Sequence, residues 1–230
     1  MHEHIFKPSD KDGYEVCDCG TYHSIAAKEP KEIYEADYWE HENGRSTFEE
    51  QRFNVTEKDS CGISKVDKIL QYIPERSVLE IGAAPGELLK ALNERGYVTY
   101  GIEPDPQYIE PILRVSPFSR IIQGYFPDVF KGIEGISFDY IIAMDVVEHS
   151  VDYDVFIKEV YRLLKPHGTF IFMSPIITSE YGDVRAKDYK KDEHIWILSE
   201  QYLKEYLCSM FSIVGFDFWQ EGHNVIVCKK

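Results

Sequence analysis

The sequence predicts an α/β protein: a seven-stranded, mostly parallel sheet with helices on both faces, an antiparallel last strand and a short N-terminal extension. Three observations carry that expectation. From position 77 onward, apolar runs of strand length alternate with stretches of helical spacing, the rhythm that gives parallel pairing with right-handed crossovers. The last two runs, FSIVGFDFWQ and HNVIVCKK, are separated only by the turn-like Glu221-Gly222 and must therefore pair antiparallel. Finally, VLEIGAAPGELLK, Val78 to Lys90, concentrates its smallest residues where a strand hands over to a helix, a gap that a packed core does not need.

Taken in order, residues 1–58 are rich in Tyr, His, Glu and Lys without a sustained period, and are expected to form the N-terminal extension with short elements. Residues 59–230 form the main domain. It opens on CGISKVDKILQYI, whose Ile63, Val66, Ile69, Leu70 and Ile73 recur at helical spacing until Pro74 stops them. Strand SVLEIG follows, then helix ELLKALNERG with Leu88, Ala91 and Leu92 inward and Gly96 at a left-handed cap. Strand YVTYGIE, helix DPQYIEPILRV, strand RIIQG and strand FDYIIAMD continue the alternation. Helix DYDVFIKEVYRLL carries an apolar stripe of Phe156, Val160, Leu163 and Leu164, with Asp152 or Asp154 as N-cap and Pro166 as its stop. Strand GTFIFMS and helix SEQYLKEYLCSM lead to the closing pair.

Composition narrows the function classes. The 230 residues suffice for one α/β core plus an appendage. A net charge of −15 repels polyanions, and with no Lys/Arg cluster to override it, nucleic acid and anionic membranes are poor expected partners. The N-terminal stretch lacks a basic segment followed by an apolar one, and no later stretch approaches a membrane span, so a cytoplasmic protein is expected. Five cysteines, odd in number and mostly scattered, fit a reducing compartment.

The gap at Gly82–Gly86 falls at a strand's carboxyl end, where open α/β sheets bind ligands. Two ligand classes use such a turn. A dinucleotide fingerprint is G-x-G-x-x-G, aimed at a pyrophosphate. Here the order is Glu80-x-Gly82-x-x-x-Gly86, and a carboxylate two residues before the first glycine suits an ammonium group, not a pyrophosphate.

This E-x-G-x-x-x-G after a strand, with GIEPD ending the second strand, resembles motif I and the following acid of the class I S-adenosylmethionine-dependent methyltransferases. MDVVEHS and RLLKPHGTFIFMSP resemble the family's next motifs. The likeness spans roughly residues 60–228 and is strongest to ubiquinone-biosynthesis O-methyltransferases and sugar-modifying methyltransferases, through VLEIG, the Glu148-His149 pair and the late His194-to-Ser199 stretch HIWILS. It departs at Pro85 and His167, which stand where the family often has Gly. The resemblance implies a Rossmann-like fold and S-adenosyl-L-methionine as cofactor. It implies that Gly82, Ala84 and Gly86 line the methionyl part with Glu80 nearby, that Glu103 holds the ribose, and that Asp145 and Val146 lie near the sulfonium. Tyr125 and Phe126 either flank the adenine or are plain core aromatics.

For proton removal from an acceptor, His149 and His194 are the candidate catalytic residues, each with a structural alternative. Glu148 either orients an imidazole or caps the next turn. Asp145, Glu148, His149 and His194 together resemble the E-x-x-E-H plus His arrangement of metal-assisted O-methyltransferases, an oxygen- and imidazole-rich set suited to a divalent cation. A second metal set is His2, His4, Cys17 and Cys19, two imidazoles and two thiolates for zinc; CDCGTYHS resembles the end of the N-terminal zinc ribbon of some sugar methyltransferases. Its alternative is two free thiols on a short turn. Tyr34, Tyr38, Trp39 and Phe48 form either a lid over the pocket or a cluster on the outer sheet face.

The expectation is therefore methyl transfer to an oxygen or activated carbon of a small molecule such as a sugar. Its rivals are an NAD-dependent oxidoreductase or epimerase, and a cofactor-binding protein without turnover. The acceptor and the oligomeric state stay open.

Overall fold

The computed structural model describes residues 3–34, 68–69, 77–179, 182–184, 188–220 and 223–230. Outside the described residues lie His2, Tyr38, Trp39, Phe48, the Glu221-Gly222 turn and the helix expected from Cys61, except for helical Lys68 and Ile69; the side chain of Tyr34 is also outside them.

The main sheet contains seven strands. β4 (Ser77–Ile81), β5 (Val98–Glu103) and β6 (Arg120–Gln123) run parallel in that order, and β4 is parallel on its other side to β7 (Phe138–Met144). β8 (Leu164–Ile177) continues parallel, β11 (His223–Lys229) pairs antiparallel to β8, and β10 (Ser212–Gln220) closes the edge antiparallel to β11. The direction of strand progression reverses at β4, so the crevice at its carboxyl end is the expected ligand site.

Side-chain alternation explains why both faces are covered. On β4, β7 and β8, Leu79, Ile81, Ile141, Ala143, Phe170 and Phe172 share one core cluster, while Val78, Ile142, Ile171 and Met173 belong to another. The first face receives α4 (Tyr153–Leu163) and α5 (Glu200–Cys208) through Phe156, Val160, Leu163, Leu203 and Leu207. The second receives α2 (Glu87–Asn93) through Leu88 and Leu92, together with Ile69. α3 (Pro106–Val115) packs Tyr108 and Ile112 against Ala83 and Leu89. Caps follow local chemistry: the side chains of Asp105, Asp152 and Ser199 accept from the backbone N–H of Gln107, Val155 and Tyr202.

The N-terminal residues add strands that the sequence reading lacks, so that through β9 the hydrogen-bonded order extends from the expected seven strands to 11. β1 (Phe6–Pro8), β2 (Tyr14–Cys17) and β3 (Tyr22–Ser24) make an antiparallel ladder, followed by the short α1 (Pro30–Tyr34). β3 pairs with β9 (Trp196–Ser199), which pairs with Ile176 and Ile177 at the far end of β8. β8 is also longer than the expected GTFIFMS: it takes in the turn at His167, which adopts a left-handed φ of 65°.

Candidate active site

The strand-to-helix gap is a real constriction. Gly82 and Ala83 both donate backbone N–H bonds to the Ile102 carbonyl at 2.9 Å, which folds the chain over the tip of β5. Gly82 has φ +74°, and a Cβ there would lie 2.6 Å from Val146 Cγ2. Its lack of a side chain keeps the crevice between β4 and β7 open. Gly86 has φ +91°, and an added Cβ would meet Val115 and Ile112 of α3 at 3.0 and 3.2 Å, so its lack of a side chain lets α3 pack closely against this loop. Ala84 and Pro85, joined by a cis peptide, complete the loop.

Two buried carboxylates flank this loop. Glu103 Oε2 accepts from Ala84 N–H at 3.0 Å and Oε1 from Asp105 N–H at 2.9 Å. Burial pushes its carboxyl up to about 7, against the pull of those two backbone donors. Glu80 is 3% exposed, and its Oε2 has no hydrogen-bond partner among the described residues. Burial, with Glu103 adding like-charge repulsion, raises its carboxyl well above the usual range. Two acids at one strand-end crevice, one of them with an orphaned oxygen, form a receptor for a ligand that brings positive charge and hydrogen-bond donors.

Across the crevice, the chain leaves β7 through Asp145, whose φ is 54° and whose N–H bonds the Met173 carbonyl at 2.9 Å. Val146 is partly buried against the core. Glu148 and His149 then sit on a short 3₁₀ turn (Val147–His149), and Ser174 of β8 donates its hydroxyl to Glu148 Oε2 at 3.0 Å. His149 Nδ1 lies 3.0 Å from the Glu193 carbonyl, and His194 Nδ1 lies 2.7 Å from the Asp188 carbonyl. A carbonyl only accepts, so each Nδ1 carries the proton and each Nε2 keeps its lone pair. The two rings meet edge to face at 4.8 Å. Burial, and then each other's proximity, hold His149 down to about 3; burial also lowers His194. Both are neutral imidazoles.

Of the four residues expected to gather around a divalent cation, three do: Glu148, His149 and His194 each offer a ligand atom within 4.8 Å of the others. Asp145 is not in that group, although its carboxylate favours the protonated form of His194. The fit to a metal is good by donor type, because the two imidazoles are aligned by carbonyls and the carboxylate by a hydroxyl. His4, Cys17 and Cys19 also converge, away from this crevice. Tyr125 is half-buried beyond β6, and Phe126 packs edge-on against Phe156 at 4.7 Å, partly buried against the core cluster. The sequence reading missed Ser174, Tyr14 (whose hydroxyl donates to the His194 carbonyl at 3.0 Å) and the Asp188 and Glu193 carbonyls. Only Ser174, just past GTFIFM, had a sequence position pointing to the site.

The family described as Methyltransferase domain matches residues 6–220. Similar curated proteins include the ubiquinone biosynthesis O-methyltransferase of Bradyrhizobium diazoefficiens, 33% identical over 95 residues, covering 41% of this chain and 38% of that protein. The mitochondrial enzyme of that name from Bos taurus is 28% identical, covering 43% of this chain and 28% of its own. The chain thus spans well under half the length of these relatives. An uncharacterised methyltransferase of Geobacillus kaustophilus is 28% identical, with 70% and 80% covered. Among solved structures, a chain from a complex of the Haloferax volcanii Trm112 methyltransferase activator with a methyltransferase shares the fold at TM-score 0.63 and 14% identity, covering 88% of this chain and 98% of that one. The N-methyltransferase NodS of Bradyrhizobium japonicum, solved with S-adenosyl-L-homocysteine, does so at TM-score 0.58 and 14% identity, with 80% and 96% covered. With its strand order, its motif loop and a family match over nearly its whole length, the chain belongs to the methyltransferase-domain family, of the class I S-adenosylmethionine-dependent type.

Proposed function

We propose that the protein transfers a methyl group from S-adenosyl-L-methionine to an oxygen or activated carbon of a small molecule, such as a sugar or another metabolite, in the cytoplasm. The observation that carries this reading is the pair of buried carboxylates, Glu80 and Glu103, on either side of the Gly82 constriction. The cofactor supplies an electrophilic methyl group on a sulfonium centre. The chain's own part is recognition and proton handling. Glu103, its two oxygens already fixed by backbone donors, has lone pairs left to accept from a ribose diol. Glu80, with its orphaned oxygen, would receive the amino end. Gly82, Ala84 and Gly86 would line the methionyl part, Asp145 and Val146 would border the reacting end, and Tyr125 the adenine side; Phe126 would support that wall from the core.

His149 and His194 face the acceptor side. As neutral imidazoles with Nε2 lone pairs, they are suited, with Glu148, to hold a divalent cation; for accepting a proton from an acceptor hydroxyl, His149, held down to about 3, is the weaker base, and His194 is the candidate. The metal reading is favoured by the three converging donors and the fixed Nδ1 protons. Held there, a cation would make a bound hydroxyl more acidic. Negative charge overall, and among the described residues no helix long and apolar enough to cross a membrane, agree with a small-molecule acceptor.

Calorimetry with S-adenosylhomocysteine and with NADH, followed by label transfer from S-adenosylmethionine to a panel of hydroxylated metabolites with and without Mg²⁺, Mn²⁺ or Zn²⁺, tests the reading. Binding of the first ligand alone, and metal-stimulated transfer that His149→Ala abolishes, is the expected result. Binding of NADH in preference to S-adenosylhomocysteine would overturn it.

A further inference from the structure

Away from the crevice, the N-terminal strands carry a second convergence of metal-binding side chains. Cys17 ends β2 and Cys19 lies in the turn to β3, where Gly20 N–H bonds the Cys17 carbonyl at 2.8 Å and Cys17 N–H bonds the Thr21 carbonyl at 2.9 Å. Both thiols are buried, at 3% and 6% exposure, and neither is in a disulfide. His4, just before β1, brings Nδ1 to 3.6 Å from Cys19 Sγ. Its ring is held by Tyr202 at 4.4 Å, Phe6 at 5.2 Å and Trp196 at 6.2 Å. All three donor atoms lie within 4.8 Å of one another.

We propose that His4, Cys17 and Cys19 bind a zinc ion that ties the start of the chain to the β2–β3 turn, where that turn meets β9 of the main domain. The Cys19–His4 separation and the donor types are compatible with zinc. Metal–sulfur bonds of about 2.3 Å and metal–nitrogen bonds of about 2.0–2.1 Å at tetrahedral angles set a sulfur-to-nitrogen edge of about 3.6 Å, and the Cys19–His4 separation equals it. Two thiolates and an imidazole form the soft-to-borderline donor set that favours zinc over magnesium or calcium. Binding replaces the two thiol protons with the cation, which leaves the trio with no net charge in its apolar surroundings. The trio supplies three of the four positions of a tetrahedral zinc site.

The position gives the tie a purpose. Ser199, the last residue of β9, donates its hydroxyl to the Cys19 carbonyl at 2.6 Å, and Tyr22 and His23 of β3 pair with Ile197 and Trp196. β9 begins two residues after His194, whose carbonyl accepts from Tyr14 of β2. Fixing the β2–β3 turn therefore fixes the segment that presents His194. The proposal uses none of the crevice residues as ligands and stands independently of the proposed reaction.

The test loads the reduced 230-residue chain with Co²⁺ as a spectroscopic stand-in for zinc. Expected are thiolate-to-cobalt charge-transfer bands in the near ultraviolet and intense tetrahedral visible bands, both abolished by one equivalent of Zn²⁺. They should be lost in the Cys17→Ser, Cys19→Ser variant and kept in Cys208→Ser and in His149→Ala, His194→Ala. A measurement on the unmutated chain guards against misfolding of the variants: Zn²⁺ should slow alkylation of Cys17 and Cys19, read by peptide mass mapping, at least tenfold while leaving exposed Cys208 unchanged. Cobalt bands without thiolate character, or equal alkylation of Cys17 and Cys19 with and without Zn²⁺, would overturn the proposal.

Discussion

Replacing Glu103 by Gln tests the ligand pocket at its most loaded point. In the cofactor-free chain the carboxyl is raised from 4.5 to about 7 by burial, so the folded state holds a proton that the unfolded state releases. The stability tied to that proton is complete below the unfolded value and is lost as pH rises through 7. A difference of roughly 2.5 pH units corresponds to about 3 kcal/mol, with Glu80 acting in the same direction. The melting temperature of the cofactor-free chain should therefore fall between pH 5 and pH 8, and Glu103→Gln should flatten that fall. A ligand that needs the ionised carboxylate reverses the balance: its affinity should be about tenfold weaker at pH 6 than at pH 8. Gln also sets an amide NH₂ against the N–H of either Ala84 or Asp105, which now donate to the carboxylate. With the charge-assisted bonds to the ligand gone as well, the loss is about 3 kcal/mol or more, a weakening of roughly 100-fold. Calorimetry with S-adenosylhomocysteine at pH 6 and pH 8, beside thermal melts across the same range, reads both effects. Binding by the variant within about threefold of the unmutated chain at pH 8, or a pH-independent melt of the latter, would refute the reasoning.

Other perturbations follow from the same geometry. Gly82→Ala puts a Cβ on a left-handed residue 2.6 Å from Val146 Cγ2; stability should drop by about 1–3 kcal/mol, and S-adenosylhomocysteine binding should weaken at least tenfold in calorimetry. Ser174→Ala removes the hydroxyl that holds Glu148 Oε2; divalent-metal affinity at the crevice, measured by titration, should fall by about 10–100-fold with the melting temperature little changed. Tyr14→Phe deletes the bond to the His194 carbonyl, costing about 1 kcal/mol in a denaturant melt and lowering the turnover number more than it raises KM. Phe172→Ala empties a fully buried core position and should cost about 3–5 kcal/mol, reporting on the sheet and not on the site.

The main sheet was legible because its strands are long enough to show alternation. Phe170 and Phe172 point to one core and Ile171 and Met173 to the other, while Phe156, Val160 and Leu163 repeat at helical spacing beside them. Glu80, Gly82 and Glu103 were legible for a different reason: they lie at the ends of those strands, in an order few turns share. The N-terminal strands were not, because β1 and β3 are only three residues long and β2 four, too short for a period, and β3 finds its partner in β9, more than 170 positions away. The partners of His149 and His194 are backbone carbonyls, which every residue owns and no sequence position advertises. Gly86 is instructive too. Its place in the motif suggested ligand contact, and the closeness of α3 adds a packing reason for the same glycine that the motif alone does not reveal.

A crystal structure of the protein with S-adenosylhomocysteine addresses the central claim most directly. The account predicts the ribose hydroxyls within hydrogen-bond distance of Glu103, the amino group turned toward Glu80, and the sulfur beside Asp145 and Val146. A ligand seated elsewhere, or lying in the crevice with neither acid touching it, would contradict the account.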